Sequence, residues 1–97
     1  MAKSKQEIIK EIESFMSGNL SSWYVGISED PKERLKAHGV AFEPSNTSWI
    51  HIKAQDDKTS REIETYFINK GADGGDGGGD EDAKFVYAYK KNSQTKP

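Results

Sequence analysis

The chain has 97 residues, enough for one domain and not two, and a domain of that size buries only roughly 60 to 70 per cent of its unfolded surface. It contains no cysteine, which excludes disulfides, thiolate metal centres and cysteine nucleophiles. A net charge of −2 excludes a strongly basic nucleic-acid-binding domain, although five acidic residues and no basic one between positions 72 and 82 leave the other 86 residues at a net +3.

Leu, Ile, Val and Phe together supply 17 residues, below the ~20 per cent at which disorder becomes a concern. Two Trp, four Tyr and the small net charge offset that shortage, so the composition predicts a small, aromatic core. No apolar run approaches the ~18 to 20 residues needed to span a bilayer, and the first residues lack an apolar signal core. The chain reads as soluble and cytoplasmic, with no membrane partner.

Ser4-Lys5-Gln6-Glu7 has the form of a capping box, and Ile8, Ile9, Ile12, Phe15 and Met16 follow at helical spacing, with Gly18 as the stop. A strand is expected over 22–27. Side chains alternate along it, which puts Tyr24 and Gly26 on one face and Trp23, Val25 and Ile27 on the other. Asp30-Pro31-Lys32-Glu33 reads as a helix start, with aspartate at the cap and proline in the first turn, and Gly39 ends that helix near His38. Arg34 and His38 are four apart on it, so a guanidinium and an imidazole share a face and can converge on one anion.

Ala41 to Ser48, with Pro44, Ser45, Asn46 and Thr47, is expected to be a loop. Trp49-Ile50-His51-Ile52-Lys53 alternates as a half-buried strand with Ile50 and Ile52 inward. Thr59-Ser60-Arg61-Glu62 reads as a second capping box, opening a helix whose Ile63, Tyr66 and Phe67 form the apolar stripe and which ends near Gly71. Glu64 sits beside that stripe. Lys84 to Lys90 is the last strand, and 92–97 is expected to be a disordered tail.

Between the third helix and the last strand, residues 71 to 82 comprise six Gly, five acidic residues and one Ala. Ordering so many glycines is entropically costly, so 71–83 is expected to be a flexible surface loop. Calcium binding fits less well, because the EF-hand order and its distal glutamate are absent. A phosphate cradle lacks the Gly-Lys-Ser/Thr ending, and the carboxylates repel phosphate.

The run from Trp23 to Gly39, with Tyr24-Val25-Gly26 followed eight positions later by Arg34, resembles the second half of the GIY-YIG nuclease motif. Arg61 to Ile68 is similar to that family's later helix, in which a glutamate precedes apolar residues three and four positions on. Glu64, ahead of Phe67 and Ile68, fits that spacing better than Glu62. The family's preceding Gly-Ile-Tyr strand is replaced here by a helix. A strand beside Tyr24 must then come from Lys84–Lys90, with Tyr87 or Tyr89 standing for the missing tyrosine.

The resemblance implies an α+β fold: a small three-stranded antiparallel or mixed sheet flanked by three helices. It also implies metal-dependent endonuclease chemistry on DNA. Tyr24, helped by Tyr87 or His38, positions or deprotonates the attacking water. Arg34 stabilises charge on the phosphate, and Glu64 holds one Mg2+ or Mn2+ ion. The alternative is a binding module on the same scaffold without catalysis, recognising nucleic acid or a protein through a surface of Trp49, Tyr87 and Tyr89. Each residue also has an ordinary role open to it: Tyr24 as a half-buried strand aromatic, Arg34 and Glu64 as solvated helix charges, His38 beside the helix dipole, and His51 as an exposed strand residue.

Overall fold

The computed structural model describes residues 4–16, 19–39, 49–74 and 83–91. The expected loop at 41–48, the Gly18 stop, most of the Gly/Asp-rich segment (75–82) and the tail at 92–97 lie outside the described residues. Helix α1 spans Lys5–Phe15, strand β1 Trp23–Ser28, helix α2 Pro31–Ala37, strand β2 Trp49–Lys53, helix α3 Asp57–Asn69 and strand β3 Phe85–Lys90. A 3-10 turn, Leu20–Ser22, precedes β1 and was not expected; the Asn19 side chain caps it by accepting from Ser21 N at 3.1 Å.

The capping box of α1 is formed as read: Ser4 Oγ accepts from Glu7 N and Glu7 Oε1 accepts from Ser4 N. Helix α3 begins two residues before its expected box. Its N-cap is Asp56, whose carboxylate accepts from Thr59 N at 2.8 Å, so Thr59 lies in the first turn instead of at the cap. Aspartate is as good a cap as threonine, and here it comes first along the chain. The helix ends at Asn69, with Lys70 as its C-cap and Gly71 next at φ 117°, close to the expected stop near Gly71.

The sheet is antiparallel throughout, with β3 in the centre between β1 and β2. Because β3 pairs on both sides, its residues form rows: Tyr24, Tyr89 and Trp49 in one, and Gly26, Tyr87 and His51 in the next. Each row places side chains about 5 Å apart on a common face. Compared with the sequence reading, β1 is displaced by one residue at each end and β3 begins one residue later.

One face of the sheet packs Trp23, Val25, Ile27, Val86 and Ala88 against Ile8, Ile12 and Met16 of the α1 segment and Ile63 and Phe67 of α3. Each of the fully buried isoleucines and Phe67 contributes roughly 1.5 to 3 kcal/mol by leaving water. The two helices are joined at the rim by Tyr66 Oη donating to Glu13 at 2.9 Å and by a Lys5–Glu62 ion pair at 3.7 Å. Ile68, grouped with the apolar residues after Glu64 in the sequence reading, is 38 % exposed, and its tip lies over Gly74.

The first residues of the Gly/Asp-rich segment are built into the fold. Ala72 is buried in the core, and Asp73 bridges the outer edge of β1, its N–H donating to Trp23 O at 2.8 Å and its carbonyl accepting from Val25 N at 2.9 Å. Its carboxylate pairs with Lys91 at 3.2 Å. Among the described residues, no helix is long and apolar enough to cross a membrane.

Candidate functional site

The opposite face of the sheet carries the tyrosines. Tyr24, Tyr87 and Tyr89 form a second buried cluster with Leu35 of α2, and Trp49 packs against it. The approach of α2 is set by the turn before it. Ser28 Oγ accepts from Asp30 N at 3.0 Å, and the Asp30 carboxylate caps the helix by accepting from Glu33 N at 3.3 Å. Pro31, buried at the first helical position, and Leu35 press the helix onto the sheet. The chain leaves the helix through Gly39 at φ 85°, a conformation that costs glycine nothing.

At the end of α2, His38 is buried at 7 % exposure and its Nε2 lies 3.1 Å from the Tyr87 hydroxyl. Arg34, one turn earlier and exposed, lies near enough to the same phenol for its positive charge to favour the phenolate. In the tautomer protonated at Nδ1, His38 Nε2 accepts the phenol proton. The imidazole ring also packs among the phenols in tilted contacts, with ring centres 4.6 Å from Tyr24 and 5.3 Å from Tyr89. Tyr24 and Tyr89 are themselves stacked at 5.2 Å and 22°.

Tyr87 is pushed up to about 12, chiefly because burial disfavours the phenolate. Arg34 opposes that shift, while the nearby Tyr24 and the Glu64 carboxylate add to it. All four partners named from the sequence therefore bear on one phenol: His38 by hydrogen bond, Arg34 and Glu64 through their charge, and Tyr24 by ring packing and, when ionised, by charge. Tyr89 is pushed up further by burial, and its hydroxyl is fully buried with no hydrogen-bond partner among the described residues. Of the two tyrosines offered for the missing position, Tyr87 is the one that meets Arg34.

Gly26 seats this oxygen. It lies opposite Tyr87 in the ladder, and the phenol ring folds across it so closely that a Cβ there would lie 2.5 Å from both the ring Cζ and the hydroxyl. Sequence reasoning placed Gly26 on the right face without finding this role, because the contact depends on which residue of β3 lies opposite.

Two readings of the sequence need correction. Tyr87 and Tyr89, at 1 % and 0 % exposure, do not form a recognition surface with Trp49. His51 is not an exposed strand residue: it is half-buried, stacked on Trp49 at 5.7 Å and 12°, and edge-on to Phe85 at 6.2 Å. Its pKa is lowered, first by burial and then by the positive charge of Lys32 on α2. The period-2 pattern Trp49-His51-Lys53 was the available signal for this stack.

Among the described residues, no three His, Cys, Asp or Glu side chains gather as a metal cluster. Glu64 is half-buried, and its negative charge disfavours the Tyr87 phenolate. Comparison of the chain with protein-family models, curated proteins and solved structures returned no match.

Proposed function

We propose that this protein is a divalent-metal-dependent endonuclease that hydrolyses phosphodiesters in DNA, on a GIY-YIG-like scaffold whose missing tyrosine strand is supplied by β3. The observation that carries the reading is the convergence on the Tyr87 hydroxyl of His38 Nε2 at 3.1 Å, the Arg34 guanidinium and the charge of Glu64, with Tyr24 against the same imidazole. These groups come from three separate elements, and solvated helix charges with no common task have no reason to meet at one buried oxygen.

Arg34 is permanently protonated and exposed on one side, so it can donate to a phosphate oxygen and stabilise the charge that develops there. Tyr87, with a pKa of about 12, is neutral near pH 7 and acts through its hydrogen bond. Tyr24, the least buried of the three clustered tyrosines, positions the attacking water, and the Tyr87–His38 hydrogen bond lies behind it. Glu64 fits a hard cation, since carboxylate oxygen is the ligand that Mg2+ and Mn2+ take, with waters and the substrate phosphate filling the remaining positions. When bound, the ion would neutralise the leaving oxygen. A chain without cysteine suits a cytoplasmic setting.

The test is incubation of the protein with supercoiled plasmid and Mg2+ or Mn2+, beside Arg34→Ala and Glu64→Ala. Nicking lost in both variants supports hydrolysis. A wild type that cleaves no DNA form favours the second reading, a nucleic-acid- or protein-binding module without catalysis. The observation on that side is the burial of Tyr24 and Tyr87.

A further inference from the structure

We propose that the patch of Trp49, His51 and Phe85, one ring from each of three successive rows of the ladder and flanked by Lys32 and Lys53, is a stacking subsite for an unpaired nucleobase, so that the nucleic acid this protein engages is single-stranded or locally melted. The inference rests on the reading of the protein as one that binds nucleic acid, and deepens it by naming the form of the substrate.

The tyrosine cluster is buried, but this patch, at the β2 side of the same face of the sheet, is only half-buried. Trp49, His51 and Phe85 are each half-buried, and the two rings on β2 are nearly parallel, at 12°. Lys53, exposed at the end of the strand, holds its ammonium 6.0 Å from the Phe85 ring centre. Lys32, exposed on α2, is close enough to His51 to act on its charge. Flat π faces with cations at their margin match a base and its adjoining phosphates: the rings take the base and the ammonium groups take the backbone. In a duplex the faces of the bases are occupied by their neighbours, so only a base that has left the stack can use such a patch.

The patch shares the central strand with the tyrosine cluster. His51 lies opposite Tyr87 in the ladder and Trp49 opposite Tyr89, on the β2 side of the central strand, while the Tyr87 phenol folds to the other side across Gly26 of β1. Hydrophobic attraction of a protein segment would leave the two lysines unused, and the positive charge on this side favours the nucleic acid.

The experiment measures binding without divalent ion, so cleavage plays no part in it. A fluorescein-labelled oligothymidylate of about twelve nucleotides and a duplex of equal length are titrated with protein at fixed ionic strength and followed by anisotropy. The expected result is at least tenfold tighter binding of the single strand. Trp49→Ala or His51→Ala should weaken it on the order of tenfold, while Trp49→Phe, which keeps a ring, retains most of it. Circular dichroism establishes that each variant is folded. Equal or tighter binding of the duplex, no binding of either DNA, or unchanged affinity in folded Trp49→Ala and His51→Ala overturns the subsite. Single-strand preference in a protein that cuts nothing under Mg2+ or Mn2+ upholds the subsite and removes the hydrolytic reading, so the two are judged separately.

Discussion

The Tyr87 hydroxyl and His38 Nε2 lie 3.1 Å apart although 49 positions separate them in sequence. This contact fixes the end of α2 to the central strand and orients a buried phenol toward Arg34 in the same step. Its energy is modest, about 1 kcal/mol for a neutral hydrogen bond, but it determines where the oxygen points.

Tyr87→Phe should therefore leave the fold standing, lower stability by about 1 kcal/mol and reduce plasmid nicking at least about a hundredfold. The pH dependence supplies a second readout. A phenol ordinarily ionises at 10.0 and Tyr87 at about 12, so below pH 10 the difference favours the folded chain, and it is lost as pH rises through about 12. Phenolate absorbance should show two late-titrating groups in the wild type, Tyr87 and Tyr89, and one in Tyr87→Phe. Denaturant stability above pH 10 should fall less steeply in the variant.

Gly26→Ala puts a methyl group where the Tyr87 ring lies, at 2.5 Å from two of its atoms. Either the ring leaves His38 and Arg34 or the strands separate. Overpacking of this kind costs roughly 1 to 3 kcal/mol. In a double-mutant cycle with Tyr87→Ala, most of that cost should disappear, because the atoms that Cβ meets are gone. Equal destabilisation in both backgrounds would place the cause elsewhere in β1.

His51 gives a pH effect of the opposite kind. Its folded pKa lies below the ordinary 6.5, through burial and the charge of Lys32, so near pH 6 the unfolded chain binds more protons than the folded one. Stability should be flat above pH 6.5 and fall as pH drops below it. His51→Gln should flatten the curve between pH 6.5 and the onset of carboxylate titration, measured as urea midpoints across the series.

Neighbouring residues on α3 should differ sharply. Phe67 is fully buried between helix and sheet, and Phe67→Ala should cost about 3 to 5 kcal/mol, a large part of the stability of a small domain. Ile68 is 38 % exposed, with its tip over Gly74, so Ile68→Ser should cost less than 1 kcal/mol by thermal or chemical denaturation.

Local signals in the sequence carried most of the elements. The Ser4 capping box, the Asp30-Pro31 helix start and the alternation of β1 and β2 are short-range patterns, and the structure follows them. The α3 start was missed because Asp56 and Thr59 both have a suitable partner three residues on, and only the folded backbone selects between them. The central position of β3 was hidden for a different reason. Val86 to Tyr89 is buried on both faces, yet its small and aromatic residues alternate as they would in a strand with one wet side. That also concealed the burial of Tyr87 and Tyr89, and with it that of the tyrosine cluster. The positions of Arg34, His38 and Glu64 followed from helical spacing. That they bear on a single phenol depends on the ladder register, which no local pattern encodes.

β1 and β2 both ladder onto β3 and not onto each other. During synthesis each of these earlier strands must wait, its amide groups hydrated, for a segment made some sixty and thirty residues later, respectively. Assembly of the sheet is then a late, nearly all-or-none event in which the keystone arrives last, and a ribosome stalled before Phe85 would hold helices with nothing to lean on. A shortened chain ending there should be recognised by proteases as unfolded, however intact its first eighty residues are.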